Sequence, residues 1–547
     1  MSIISTTLAT SYTVGSGSFT SITNTGAVVA PGIAVYVENA ALLRNSGLIE
    51  STGSGNLPIF PLGVYLEGGT LLNYGTIEAQ GGGVGVNIVG GGTVVNHGVI
   101  ADGVGGNIGE MVDFGNFLVS NSGIIEGSNY FFESGTFANT GTVTDGINLR
   151  VGGEITNSGT LNGVEGYGIT LSNSGTVTGG VETTGFAGQP GTSTISNAHN
   201  GVISGSTGIY MYQGTVINAG TIIGTGGVAV DFTGEAGGLV VDDPGSVFEG
   251  KVEVSGSVGG ELELASGTGI GTLAGADQQF SGFTSVAVEH GAEWNIAGQT
   301  TAYAGIEVSN NGTVTENSSD KLTIDGNVRG NGVTILDSTT LVLNGSVSSG
   351  QEISFEGGKD QLSLGDPSQF SGTITQFGPD DTIDLTGVAR NKITGEHFAG
   401  GVLTLTEATG SITLAFADPS TFASGFSLSA AGSGTDITLA KVQPAVLGSN
   451  ADLTFLGGTS VEELAAGSPA WLPAGIITLS PGSFILAPYE NITFNTSLSA
   501  SGGVPPIVNT GILHGPLPII TLAAGNSINL ASLTSADFTA ARLSYFP

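Results

Sequence analysis

One short phrase recurs ten times in the first 220 residues: an Asn, one variable residue and a Gly, set among β-branched residues. The copies begin at Asn24, Asn45, Asn73, Asn96, Asn121, Asn139, Asn157, Asn173, Asn197 and Asn218, the ninth with its glycine delayed to Gly201. Successive copies lie 16 to 28 residues apart, with a mean of about 22. A repeat of that size implies stacked equivalent units. A spacing that irregular implies units whose loops vary while their strands do not.

The fullest unit, residues 63–79, carries three short apolar or β-branched runs at 64–66, 70–72 and 76–78. Alternating Val, Ile, Leu and Thr suit a pleated strand with one buried face. The runs are too short for helices, and interior glycines would cost a helix roughly 1 kcal/mol each. Gly and Asn accept positive φ, so they are expected to mark corners. Three strands and three corners per unit predict one coil of an all-β, right-handed parallel β-helix (solenoid). Stacked Asn side chains would then lie about 4.8 Å apart and hydrogen-bond along the stack as a structural ladder.

The chain has 547 residues, 95 of them Gly, no Cys, and a net charge of −35 on only 10% charged residues. Low charge with many β-branched residues argues against disorder. Absence of Cys removes disulfides and thiolate chemistry. Residues 1–250 hold only Arg44 and Arg150 as basic groups, which excludes a nucleic-acid partner and disfavours anionic membranes. No apolar run is long enough to span a bilayer, and the first ten residues lack the pattern of a Sec signal peptide. An extracellular location would therefore be reached by another route.

Three regions are expected. Residues 1–235 form the Asn-Gly solenoid, and 236–440 continue it less regularly, for about twenty coils and a rod on the order of 90–100 Å in all. Residues 441–547 form a small Pro-rich β-type C-terminal region with ten of the 18 prolines and almost no charge. Proline suits edge strands rather than central coils, so this region is a cap or an assembly surface.

The phrase Gly68-Gly69-Thr70-Leu71-Leu72-Asn73-Tyr74-Gly75-Thr76-Ile77, with its copies, resembles the β-strand-repeat passengers of bacterial autotransporters and haemagglutinin-like surface proteins. The stretch from Gly271 through Phe280-Ser281-Gly282-Phe283 to Gly291-Ala292-Glu293-Trp294 is similar to a passenger pattern in the same proteins. The resemblance implies a β-helix on a secreted or surface protein, without implying catalysis. The membrane barrel such proteins usually carry is not expected within 442–547, which is too short and too proline-rich for it.

Chemistry-bearing residues are sparse. Asp242-Asp243 and Asp380-Asp381 with Asp384 are the only tight acidic groups, and each sits beside Pro and Gly as a turn would. Asp380, Asp381 and Asp384 are the candidate Ca²⁺ ligands, although no calcium nonapeptide array is present. No other metal, cofactor or catalytic residue is expected. The five His residues, 97, 199, 290, 397 and 514, show no paired spacing. Tyr130-Phe131-Phe132 and Tyr210-Met211-Tyr212 either fill widened coils or loops, the preferred reading, or form sugar-stacking platforms.

A non-enzymatic structural protein is expected, forming homo-oligomers head to tail or laterally as an extracellular filament or surface layer. The alternatives are an adhesin contacting a cell surface or polysaccharide through loops such as 51–62 and 181–193, and a polysaccharide lyase or hydrolase using Asp380, Asp381 or Asp384.

Overall fold

The computed structural model describes residues 1–440, apart from 54–60, 103, 107–115, 133, 184–190, 275–278, 298–299, 304–305, 318–320, 418–421 and 423–424, and five short strands beyond 440. It is an all-β solenoid of about sixteen turns with almost no helix. None of the described helices is long and apolar enough to cross a membrane.

Three parallel ladders wrap one core. The first holds sixteen strands, from Ser2–Ile4 through Thr70–Asn73 to Val328–Arg329, and single bridges to Val347 and Phe370 extend it. The second starts at Thr7–Leu8 and the third at Tyr12–Val14; both then run coil by coil in parallel register. Alternation dictates what is inside. Leu43, Leu71, Val94, Val119 and Phe137 occupy one inward column of the first ladder, all fully buried, one per coil. Each such side chain contributes roughly 1.5–3 kcal/mol by leaving water.

Glycine in the Asn-x-Gly corner serves a purpose other than the expected one. These glycines are absent from the positive-φ positions of the chain. They are required by close stacking: a Cβ on Gly75 would lie 2.1 Å from the carbonyl oxygen of Gly47, and one on Gly141 2.1 Å from that of Gly123. At these corners each coil rests on the one before it with no room for a Cβ. The second sequence pattern has a similar basis. Trp294 is buried, donates its indole N–H to the Ala265 carbonyl at 3.0 Å, and lies where a Cβ of Gly271 would come 2.5 Å from its ring.

The last part of 236–440 is not coiled. Ile393–Ala399, Val402–Glu407 and Gly410–Phe416 form an antiparallel meander whose last strand joins Thr373–Thr375 in parallel. The hairpin Phe426–Ala431 and Gly434–Leu439 adds antiparallel to Thr382–Leu385. Phe377, Phe398, Phe416, Phe422 and Phe426 pack between them with ring centroids 5.0 to 6.5 Å apart, plugging the core. Of the 441–547 region the structure describes only the five short strands, so its expected role as cap or assembly surface lies otherwise outside the described residues.

Candidate functional site

Nine of the ten repeated Asn residues form one continuous seam inside the first ladder. Asn45 donates through Nδ2 to Asn73 Oδ1 at 2.8 Å, Asn73 to Asn96 at 2.7 Å, and the chain runs through Asn121, Asn139, Asn157, Asn173 and Asn197 to Asn218 at 2.7 to 2.9 Å. All nine are buried. Each amide also closes its own corner. Asn139 Nδ2 contacts the Gly141 carbonyl at 3.2 Å and the Thr160 carbonyl of the next coil at 3.1 Å.

Asn24 is not in the seam. Ile22 pairs with Asn45 and holds the ladder register, while Asn24 is exposed in a corner two residues longer. The seam register continues past Asn218 through Asp242, Leu264 and Val288 to Asn310. Asn310 repeats the corner bonding alone: Nδ2 donates to the Val333 carbonyl at 3.2 Å and Oδ1 accepts from Gly312 N–H at 3.1 Å. Its phrase, Asn310-Asn311-Gly312, carries the same sequence signal ninety residues further on.

Asp242 is the one acid in this register. It is buried, accepts a hydrogen bond from the Ser246 hydroxyl, and burial pushes its carboxyl up to about 7. Burial and Glu289 also raise the neighbouring Asp243. Glu289 itself is held low by the Ser266 backbone N–H, 3.0 Å away.

The structure does not bring the calcium candidates together. Asp381 is buried and its oxygens accept from Gly378 N–H at 2.7 Å and Asp360 N–H at 3.1 Å, which fixes a turn. Asp384 stands on the strand Thr382–Leu385 opposite Asp436 and accepts from the Thr386 hydroxyl at 3.0 Å. Asp380 is exposed. Among the described residues no three His, Asp or Glu side chains are grouped to hold a metal ion. His97 stacks on Tyr74 with centroids 4.8 Å apart and contacts the Ser122 hydroxyl at 2.6 Å through Nδ1; Arg44 covers the same tyrosine. His199, His290 and His397 are exposed, and His514 lies outside the described residues.

The aromatic triplets fill the coils only through their central residues. Phe131 and Met211 point inward and are fully buried, which turns Tyr130, Phe132 and Tyr210 outward at 44%, 47% and 36% exposure, with Tyr212 half-buried. On the outward column of the third ladder Tyr130 is followed, one coil at a time, by Asn148, Glu165, Glu182 and Tyr210. Beside that column Arg150 and Tyr167 follow Phe132: Arg150 N–H bonds the Phe131 carbonyl at 2.8 Å and Tyr167 N–H the Leu149 carbonyl at 3.1 Å. Further up the same column Tyr36 and Tyr65 stack, centroids 5.0 Å apart, and the Tyr36 hydroxyl donates to Glu67, raising its pKa to about 12.

Neither a family model, nor a curated protein, nor a solved structure matches the chain.

Proposed function

We propose that this chain is a secreted, non-enzymatic structural rod that self-associates, head to tail or laterally, into an extracellular filament or surface layer. The observation that carries the reading is the contrast between the ends of the solenoid. The first coil, Ser2–Ile4, Thr7–Leu8 and Tyr12–Val14, has parallel partners on one side only among the described residues, and Ile3 is 62% exposed. Residues 1–20 hold no charged side chain, so these strands carry none of the lysines or glutamates that discourage edge pairing. At the other end, hairpins and the phenylalanine plug close the core. Unpaired strand edges accept a further strand through backbone hydrogen bonds, and a non-closing contact of that kind yields filaments. The likeness of the repeat to surface-protein passengers supports an extracellular setting.

The interlocked seam gives such a rod its stiffness. Acidic side chains outside it keep rods dispersed until their ends meet. Electron microscopy and sedimentation of the full chain test the reading. Concentration-dependent filaments that Ile3→Lys shortens or abolishes are expected. Monodisperse monomers at every concentration, with and without calcium, would overturn it.

A further inference from the structure

We propose that the outward face of the third ladder between Tyr130 and Tyr210 is a binding platform for a neutral polysaccharide laid along the rod axis. Four coil steps separate the two tyrosines, about 19 Å at 4.8 Å per coil, which accommodates several sugar units. Each end of the platform carries a pair of rings two residues apart, Tyr130 with Phe132 and Tyr210 with Tyr212, the second of each pair just past the end of its strand. Flat aromatic rings left in water on a sheet face offer the apolar C–H face of a pyranose a stacking surface, and tyrosine adds a hydroxyl at the edge.

Between the ring pairs stand the groups that sugar hydroxyls require. The Glu165 and Glu182 carboxylates are exposed acceptors, and charge-assisted hydrogen bonds to hydroxyls are the strong ones. Asn148 supplies the independent sign that a polar ligand belongs here. It sits on the outward register between Tyr130 and Glu165, yet is only 6% exposed, and neither its Nδ2 nor its Oδ1 has a hydrogen-bond partner. A shielded amide with both its donor and its acceptor unused is costly, and a sugar hydroxyl that displaces the side chains covering it would satisfy it. Tyr167, beside the column, is held against Gly191, where a Cβ would come 2.6 Å from the ring. Rings locked by packing bind with little loss of side-chain freedom.

Charge selects the ligand class. Two carboxylates beside the single Arg150, on a chain of net charge −35, repel polyuronates, sulfated glycans and nucleic acids. On this face they repel the same face of a second copy for the same reason. A neutral hydroxyl-rich polymer meets no such barrier. The platform lies on the side of the rod, so it operates whether or not the ends associate.

Affinity electrophoresis of the full-length protein through gels containing soluble β-glucan, hydroxyethyl cellulose, glucomannan or polygalacturonate tests this. Retardation in at least one neutral gel and none in polygalacturonate is expected. Tyr130→Ala with Tyr210→Ala should weaken it about tenfold, as loss of two stacking rings implies. Asn148→Leu should weaken it severalfold with unchanged far-UV circular dichroism, whereas Ser172→Ala, on the first ladder, should leave it unchanged. Should the double variant misfold, Tyr130→Ser alone at native circular dichroism reads the smaller loss of one ring. Retardation in no neutral gel, preference for polygalacturonate, or tyrosine variants that alter sedimentation and not retardation would each overturn the proposal, the last by giving the face to a second copy.

Discussion

Residues 45–218 and residues 236–440 use the same ladder in different ways. In the first stretch a carboxamide occupies the seam on every coil, each donating to the next and accepting from the last. In the second, the same register passes through Asp242, Leu264 and Val288 before one Asn returns at 310. Corners there are held by carboxylates that accept backbone N–H groups, Asp360 from Thr339 at 3.0 Å and Asp381 from Asp360 at 3.1 Å. The difference lies in hydrogen-bond inventory. An amide is both donor and acceptor, so a column of them satisfies itself without limit; a carboxylate only accepts and must find its donors in the backbone. A self-complementary residue makes a uniform seam, whereas an acceptor-only residue makes local turns. The first stretch is regular for that reason, and the second needs hairpins and five phenylalanines to finish.

That contrast can be broken at its strongest point. Asn139→Asp at pH 8 would turn a carboxylate toward three acceptors, Asn157 Oδ1 and the Gly141 and Thr160 carbonyls. The expected loss is about 4 kcal/mol or more in urea denaturation, recovering partly as the pH falls. Asp242→Asn makes the opposite change. The carboxyl of Asp242 is raised to about 7 in the folded chain by burial, so the folded state binds its proton more tightly than the unfolded one. Stability from this group is present below about pH 4 and is lost as the pH rises toward 7. The substitution should therefore stabilise by about 2–4 kcal/mol at pH 8 and by almost nothing near pH 4, read from denaturation midpoints across pH.

Two smaller effects sharpen the comparison. Gly141→Ala, whose Cβ would meet the Gly123 carbonyl at 2.1 Å, should cost about 2–3 kcal/mol, although its φ is not positive. A thermal scan that finds it neutral would return the corner glycines to a purely conformational role. Asn24→Ala should shift stability by less than about 0.5 kcal/mol, since Asn24 is exposed and outside the seam. A loss as large as that of a seam Asn would show that the ladder begins one coil earlier.

The solenoid and most of its seam were legible in the sequence because Asn-x-Gly recurs at one register while the loops absorb the irregularity. Asn24 carried the same phrase, but register is decided by pairing, and Ile22 takes the seam position. The corner glycines were legible as corners and not in mechanism, because positive φ and steric contact both select glycine. The terminal hairpins were hidden because Val402–Glu407 alternates as a parallel coil strand would. The aromatic face was half legible. Alternation says that Tyr130 and Phe132 share a side opposite Phe131, but three rings in succession do not say which side is wet. Asn148 gave no signal at all, since burial on an outward register is not something alternation in the sequence shows.

The coil from Asn157 to Asn173 uses 16 residues and the coil from Asn45 to Asn73 uses 28, yet both advance the seam by one coil, joined by one amide hydrogen bond of 2.8 Å. Height is thus counted in amides and not in amino acids, and every extra residue is spent sideways. Insertions can elaborate the flanks of this protein, and new surfaces can arise there, while the pitch of its spine stays the same.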